Sequence, residues 1–140
     1  MENRKTPIEI GKDDFKKVGH RLIDTIAEFF NTIQTKPVTT GESPKQLQAI
    51  LGALSLPENS SSVEEILSTA SDLLLNHSLL NGHPKFFGYI TSSPAPMGML
   101  GDLMASAINS NCGAFVLSPM ATEIEKQTIQ WLGSMIGYPA

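Results

Sequence analysis

His83 to Pro139 reads HPKFFGYITSSPAPMGMLGDLMASAINSNCGAFVLSPMATEIEKQTIQWLGSMIGYP. Four patterns follow one another in it. The rings of Phe86, Phe87 and Tyr89 alternate, as in a strand or loop buried on one side. Met97, Leu100, Met104 and Ile108 then recur at helical spacing, beside a small-residue stripe of Gly98, Gly101 and Ala105. That stripe lets another backbone come close, and packing must offset the low helicity of glycine. Asn109 to Gly113 breaks the helix. Ser118-Pro119 then sets a cap before a proline at the first helical position, where its missing N–H costs nothing. Ile124, Thr128, Trp131, Leu132, Met135 and Ile136 form the inward face of a last helix, which Gly137 ends.

Upstream, the periodicity is helical. Asp13 or Asp14 caps a first helix, because a short carboxylate accepts from free amides there. Its apolar face is Phe15, Val18, Leu22, Ile26, Phe29, Phe30 and Ile33. Pro37 ends it. Residues 38–42 are an extended connector, and Ser43-Pro44 opens a short second helix carrying Leu47, Ile50, Leu51 and Leu54. For the third helix, Ser61 with Glu64 and Ser62 with Glu65 both fit a capping box. Its stripe is Ile66, Leu67, Ala70, Leu73 and Leu74; it runs to about His77, and Asn81-Gly82 stops it. The pattern predicts a mostly α chain of about five helices with a short extended aromatic piece near Phe86 to Thr91.

The chain has 140 residues, which favours one domain. Its net charge of −4 argues against a nucleic-acid footprint, which needs a basic stripe. Cys112 is the only cysteine, so there is no disulfide framework or cysteine-based metal site, and a reducing cytoplasm fits. The polar start, MENRKTPIEIGKDD, has no apolar core of a secretory signal. The aliphatic runs are too short to span a bilayer.

Few side chains suggest chemistry on their own. His20, His77 and His83 are far apart, with no carboxylate at ligand spacing, so no metal site is expected. His20 reads as a solvated helix residue, and His83-Pro84 as a turn that starts an extended segment. Glu123 and Glu125 point in different directions on a helix. They read as acids that complement a helix N-terminus rather than as an acid–base pair. Ser92 and Ser93 stand before Pro94, where capping is the preferred reading and anion binding the alternative. No nucleotide-binding glycine motif is present.

The same stretch closely resembles the N-terminal region of the group II pyridoxal-phosphate-dependent amino-acid decarboxylases, the family of the aromatic amino-acid, histidine and glutamate decarboxylases. The matching pieces are His83-Pro84-Lys85-Phe86-Phe87-Gly88-Tyr89, Leu100-Gly101-Asp102-Leu103, Ser118-Pro119-Met120-Ala121-Thr122-Glu123-Ile124-Glu125, and Trp131-Leu132. Their order and spacing fit together, and the upstream helices fit too. The resemblance implies a carboxy-lyase of the aspartate aminotransferase fold (fold type I) that uses pyridoxal 5'-phosphate and works as a cytoplasmic homodimer. Residues 1–82 would be a helical dimerisation segment, and 83–140 an aromatic loop and two helices leading into the cofactor domain.

By the same likeness Tyr89 and Ile90 contact the amino-acid substrate, and Ser92 lies near the cofactor phosphate. Asn111, Gly113 and Phe115 reach toward the pocket across the dimer. Ile90-Thr91 stands where many aromatic decarboxylases have Phe-Pro, and Asn111 and Gly113 replace larger apolar residues. Both differences weigh against an aromatic substrate. The family's cofactor-binding lysine follows a histidine, and no lysine here does. The resemblance therefore implies that no catalytic residue falls in this chain. It reads as a fragment of such an enzyme, an expressed piece, proteolytic product or truncated gene, inactive alone. The other readings are a non-catalytic helical interaction module and an aminotransferase of the same fold.

Overall fold

The first helix, α1, spans Lys12–Thr32 in the computed structural model, which describes residues 9–52 and 56–138. It begins one residue before the expected caps. Gly11 is the N-cap, and Asp13 and Asp14 fall inside the first turn. There they complement the exposed amides rather than cap the helix. A 3₁₀ turn at Ile33–Thr35 tightens its end. Lys36, ahead of Pro37, is already extended (φ −82°, ψ 161°).

Ser43 caps α2, Pro44–Leu51, as expected. Gln46 completes a capping box, its side-chain oxygen accepting from the Ser43 N–H at 2.9 Å. Leu54, expected on the same stripe, lies outside the described residues. Of the two capping boxes possible for α3, Val63–His77, the chain uses the second. Ser62 accepts from the Glu65 N–H, and Glu65 accepts from the Ser62 N–H at 2.9 Å. The helix ends at His77 with an extended Ser78, so Asn81-Gly82 is a separate turn beyond it rather than its stop.

The contacts divide the chain into two compact units, Met1–Ser93 and Pro94–Ala140. In the first, α1 and α3 lie side by side and parallel. Lys17 and Arg21, early in α1, meet Glu64 in the first turn of α3. Lys36, just past α1, donates to Asn76 near the end of α3 at 2.9 Å. Two neighbouring parallel helices need a returning connection, and the connector with α2 supplies it. Val18 and Leu80 are the buried apolar residues among those described, so this core is small.

The second unit holds α4, Pro96–Ile108, a 3₁₀ turn at Phe115–Leu117, and α5, Pro119–Met135. The N-cap of α4 is Ala95, which makes no side-chain cap, so Ser92 and Ser93 do not cap it. The proline pair Pro94 and Pro96 shifts the helix start past both serines. Asn109 ends α4 in the left-handed region (φ 50°), its N–H on the Ala105 carbonyl at 2.8 Å. Ser118 is the N-cap of α5, but its backbone carbonyl, not its hydroxyl, takes the hydrogen bonds: Thr122 donates to it from N–H and Oγ1. At the other end, Tyr138 N–H reaches the Gly133 carbonyl at 2.8 Å and Gly137 N–H the Ser134 carbonyl at 3.2 Å. This is the paired closure of a Schellman motif.

The residues read as inward on α5, Ile124, Trp131, Leu132, Met135 and Ile136, are exposed in this chain. So are Met97, Leu100, Met104 and Ile108 of α4. A Cβ at Gly101 would meet nothing within 4 Å, and one at Gly98 would meet only the neighbouring Ala95 Cβ at 3.7 Å, so at these two glycines no other helix comes close among the described residues. No strand forms among the described residues. The segment expected to be extended, Phe86 to Thr91, is an irregular loop with a bend at Tyr89 and Ile90.

Candidate functional site

The aromatic loop is held at its base and bare at its tip. His83 at the base is only 3% exposed. Its Nδ1 accepts from the Lys85 backbone N–H at 3.0 Å, and its Nε2 lies 3.0 Å from the Lys36 carbonyl. An amide can only donate and a carbonyl can only accept, so these partners select the neutral ring with its proton on Nε2. The Phe86 N–H bonds the His83 carbonyl at 2.9 Å, which closes the turn into the loop.

Beyond it, the Phe86 ring lies against Gly88. A Cβ on Gly88 would stand 3.1 Å from two of the ring carbons, so any larger residue there would push the ring back by a few tenths of an ångström. Tyr89 then takes a left-handed backbone (φ 58°), unusual for a bulky side chain. Its ring sits 6.4 Å from that of Phe86, centroid to centroid. Phe87, Tyr89 and Ile90 are all exposed, and Ile90 is entirely so. Ser92 is exposed, and its hydroxyl makes no hydrogen bond among the described residues. Of the three residues assigned to the pocket wall and phosphate neighbourhood, Tyr89 and Ile90 lie in one exposed bend.

The remaining candidates lie in the second unit, in the turn between α4 and α5. Asn111 Oδ1 accepts from the Gly113 N–H at 2.8 Å, folding an Asx turn. Phe115 is exposed, with the Lys126 ammonium 5.4 Å from its ring centroid. Lys126 is in turn paired with Glu123 at 2.7 Å. Glu123 is therefore a partner on its own helix, not an acid complementing the first turn, because α5 begins at Pro119 and its first turn carries no acid.

Sequence reasoning missed the clamp below the loop. His77 Nδ1 meets Glu42 Oε1 at 2.7 Å, and the Leu80 N–H bonds the Val38 carbonyl at 2.8 Å. With the Lys36–Asn76 and His83–Lys36 bonds, these fasten the connector to the end of α3. Two of the acceptors are backbone carbonyls some forty residues away in sequence, which no side-chain pattern announces.

The family model described as the pyridoxal-dependent decarboxylase conserved domain matches residues 44–140. Tyrosine decarboxylase 1 of Narcissus pseudonarcissus is 30% identical over 132 residues, covering 91% of this chain and 24% of the relative. The aromatic-L-amino-acid decarboxylase of Bacillus atrophaeus is 28% identical, covering 94% and 27%. The structure of Oryza sativa TDC with PLP and tryptamine superposes with a TM-score of 0.84 at 26% identity, over 97% of this chain and 27% of that one. The chain spans about a quarter of the length of the relatives it matches. Over that span the sequence and the helical architecture agree, and the chain belongs to the pyridoxal-dependent decarboxylase family.

Proposed function

We propose that this chain is the N-terminal segment of a pyridoxal-phosphate-dependent amino-acid decarboxylase, supplying subunit contacts and part of the wall of the substrate pocket. The family match over residues 44–140 carries this reading. The exposed apolar sides of α4 and α5 support it, since surfaces of this kind call for cover by further protein. The apolar face of α1, with Phe15 and Ile23 exposed, suits a second copy of the same chain. A chain this short also buries a smaller fraction of its surface. Light scattering that gave a stable, cooperatively folding monomer at high concentration would remove the dimer from this reading.

The residues present fit a wall around the cofactor and not its attachment. No lysine here follows a histidine. When bound, pyridoxal phosphate supplies the electron sink that decarboxylation needs. This chain's part is to shape the space beside it. The Ser92 hydroxyl is available to donate to an anion. Tyr89 and Ile90 present a ring and an aliphatic side chain from one exposed bend, which suits contact with an amino-acid side chain. Asn111, Gly113 and Phe115 would complete the wall from the partner copy.

The relatives named above act on tyrosine and aromatic L-amino acids, which brings an aromatic amino acid forward as the substrate class. The polar Asn111 and small Gly113 favour a roomier or more polar side chain. The deciding experiment incubates the full-length gene product and pyridoxal phosphate with L-tyrosine, L-tryptophan, L-histidine and L-glutamate. The reading expects CO₂ and the matching amine from one of these classes. A keto acid with no CO₂ would replace it with transamination, and no turnover of any amino acid would leave an interaction module.

A further inference from the structure

We infer that His83 is a positioning residue. It fixes the Phe86–Ser92 loop to the connector between α1 and α2 through the neutral, Nε2-protonated form of its ring. A histidine this deeply buried must satisfy both ring nitrogens, because an unpaired buried polar atom is costly. His83 does so with one partner on each side of a junction. Lys85 leads directly into the loop, and Lys36 belongs to the connector. The ring is therefore a strut between two segments that are 47 residues apart along the chain.

A strut positions only if its footing is fixed. The connector is held by the Leu80 N–H on the Val38 carbonyl, by Lys36 Nζ on Asn76, and by His77 on Glu42. Every one of these holds it to α3 or to the turn that follows. From the upper side of the strut, the Phe86 ring against Gly88 passes the constraint to Tyr89. Tyr89 keeps a left-handed backbone that an unconstrained bulky residue would leave. The tip of the loop has no burial of its own to hold it there: Phe87, Tyr89 and Ile90 are exposed. The hold must come from the base, and His83 is its buried polar element.

The link from this strut to catalysis rests on the proposed decarboxylase reading, in which Tyr89 and Ile90 face substrate. The test uses the full-length protein with His83→Ala, His83→Asn, His83→Gln and, as a packing control, Leu80→Ala. Backbone hydrogen exchange at Lys85 and Phe86, the amides hydrogen-bonded at the base of the loop, is compared with that over α3, and KM and kcat for the preferred amino acid are measured. His83→Ala should speed loop exchange about tenfold, as expected for losing one or two hydrogen bonds, with α3 unchanged. KM should rise by a similar factor while kcat holds. Asn can still accept from Lys85 and Gln can still donate toward Lys36, so each should recover part of the protection. Leu80→Ala should perturb loop and helix together. Loop exchange at the wild-type rate in His83→Ala overturns the inference. So does equal loosening of loop and α3 with no recovery in Asn or Gln, which would make His83 packing alone. Faster loop exchange with an unmoved KM upholds the strut and overturns the assignment of the loop to the substrate wall.

Discussion

The Lys17 ammonium stands 2.9 Å from a carboxylate oxygen of Glu64, and Arg21 binds the other oxygen of the same group. This one acid ties the first half of α1 to the first turn of α3. The hydrogen bond from Lys17, then its charge, holds the Glu64 carboxyl below its ordinary value, with Arg21 adding to the effect. A lowered folded value means the folded chain holds its proton less tightly than the unfolded chain does. The contribution is therefore complete above the ordinary glutamate range and is lost as pH falls through the lowered value.

Melting temperature should accordingly fall between about pH 7 and pH 3 by more in the wild type than in Glu64→Gln. The gap between the two at neutral pH should shrink in high salt, because all three side chains are solvated. Parallel melting curves for both proteins across that range would show that the pair adds nothing.

The two overlapping capping boxes at the start of α3 give a sharp contrast. Ser62 accepts from the Glu65 N–H, whereas Ser61 takes no part in the cap. Ser62→Ala should cost about 1 kcal/mol and Ser61→Ala close to nothing. Chemical denaturation of the two variants checks it. Equal losses would mean that the helix can start from either serine.

How far the sequence revealed the fold can be read at this same helix. Its existence and its last residue follow from spacing, because a helical face is a local pattern, but Ile66 and Leu74 of the expected stripe are exposed. Which serine caps it depends on one turn of geometry that the two boxes share. The same limit explains Asp13, Asp14, Ser92 and Ser93, where prolines or an earlier start moved the cap by a few residues. Of the candidate site, the aromatic loop was legible as a special segment. Its fastening was not, because Lys36 and Val38 act through backbone carbonyls that every residue possesses. The exposure of Trp131 and Leu132 was also hidden, since periodicity marks a face without saying what covers it.

In the turn after α4, a Cβ on Gly113 would come within 2.9 Å of Asn111 Oδ1, the atom that accepts the Gly113 N–H. Gly113→Ala should therefore break the Asx turn. In the Asn111→Ala background the obstructing oxygen is gone, so the same change should cost less. A double-mutant cycle should give a coupling of about 0.5–1.5 kcal/mol. Additive losses would mean the turn forms without the Asn111 side chain.

Tyr89 occupies the left-handed region at φ 58°. Asparagine tolerates that region and β-branched residues do not. Tyr89→Val should therefore be less stable than Tyr89→Asn by about 1–2 kcal/mol, although both remove the same exposed ring. Thermal melting of the pair measures this. Equal stability would show that the backbone relaxes out of the bend once the tyrosine is gone.

Ser92 separates two roles that the sequence left open. Ala95 is the N-cap of α4, so the Ser92 hydroxyl does not support that helix. It is also exposed. Ser92→Ala should leave the melting temperature unchanged, where loss of a true cap would cost about 1 kcal/mol. If the hydroxyl donates to the cofactor phosphate in the full-length enzyme, losing a hydrogen bond to a charged group costs about 1.5–3 kcal/mol. That corresponds to roughly ten- to a hundredfold weaker pyridoxal phosphate binding, at about 1.4 kcal/mol per decade. Tyr89→Phe in the same assay keeps the ring and removes only the hydroxyl, so it reads pocket polarity without opening a cavity. Cofactor titration and melting on the same Ser92→Ala sample decide the matter. Unchanged affinity for both cofactor and substrate, with an unchanged melt, would make Ser92 an ordinary surface residue.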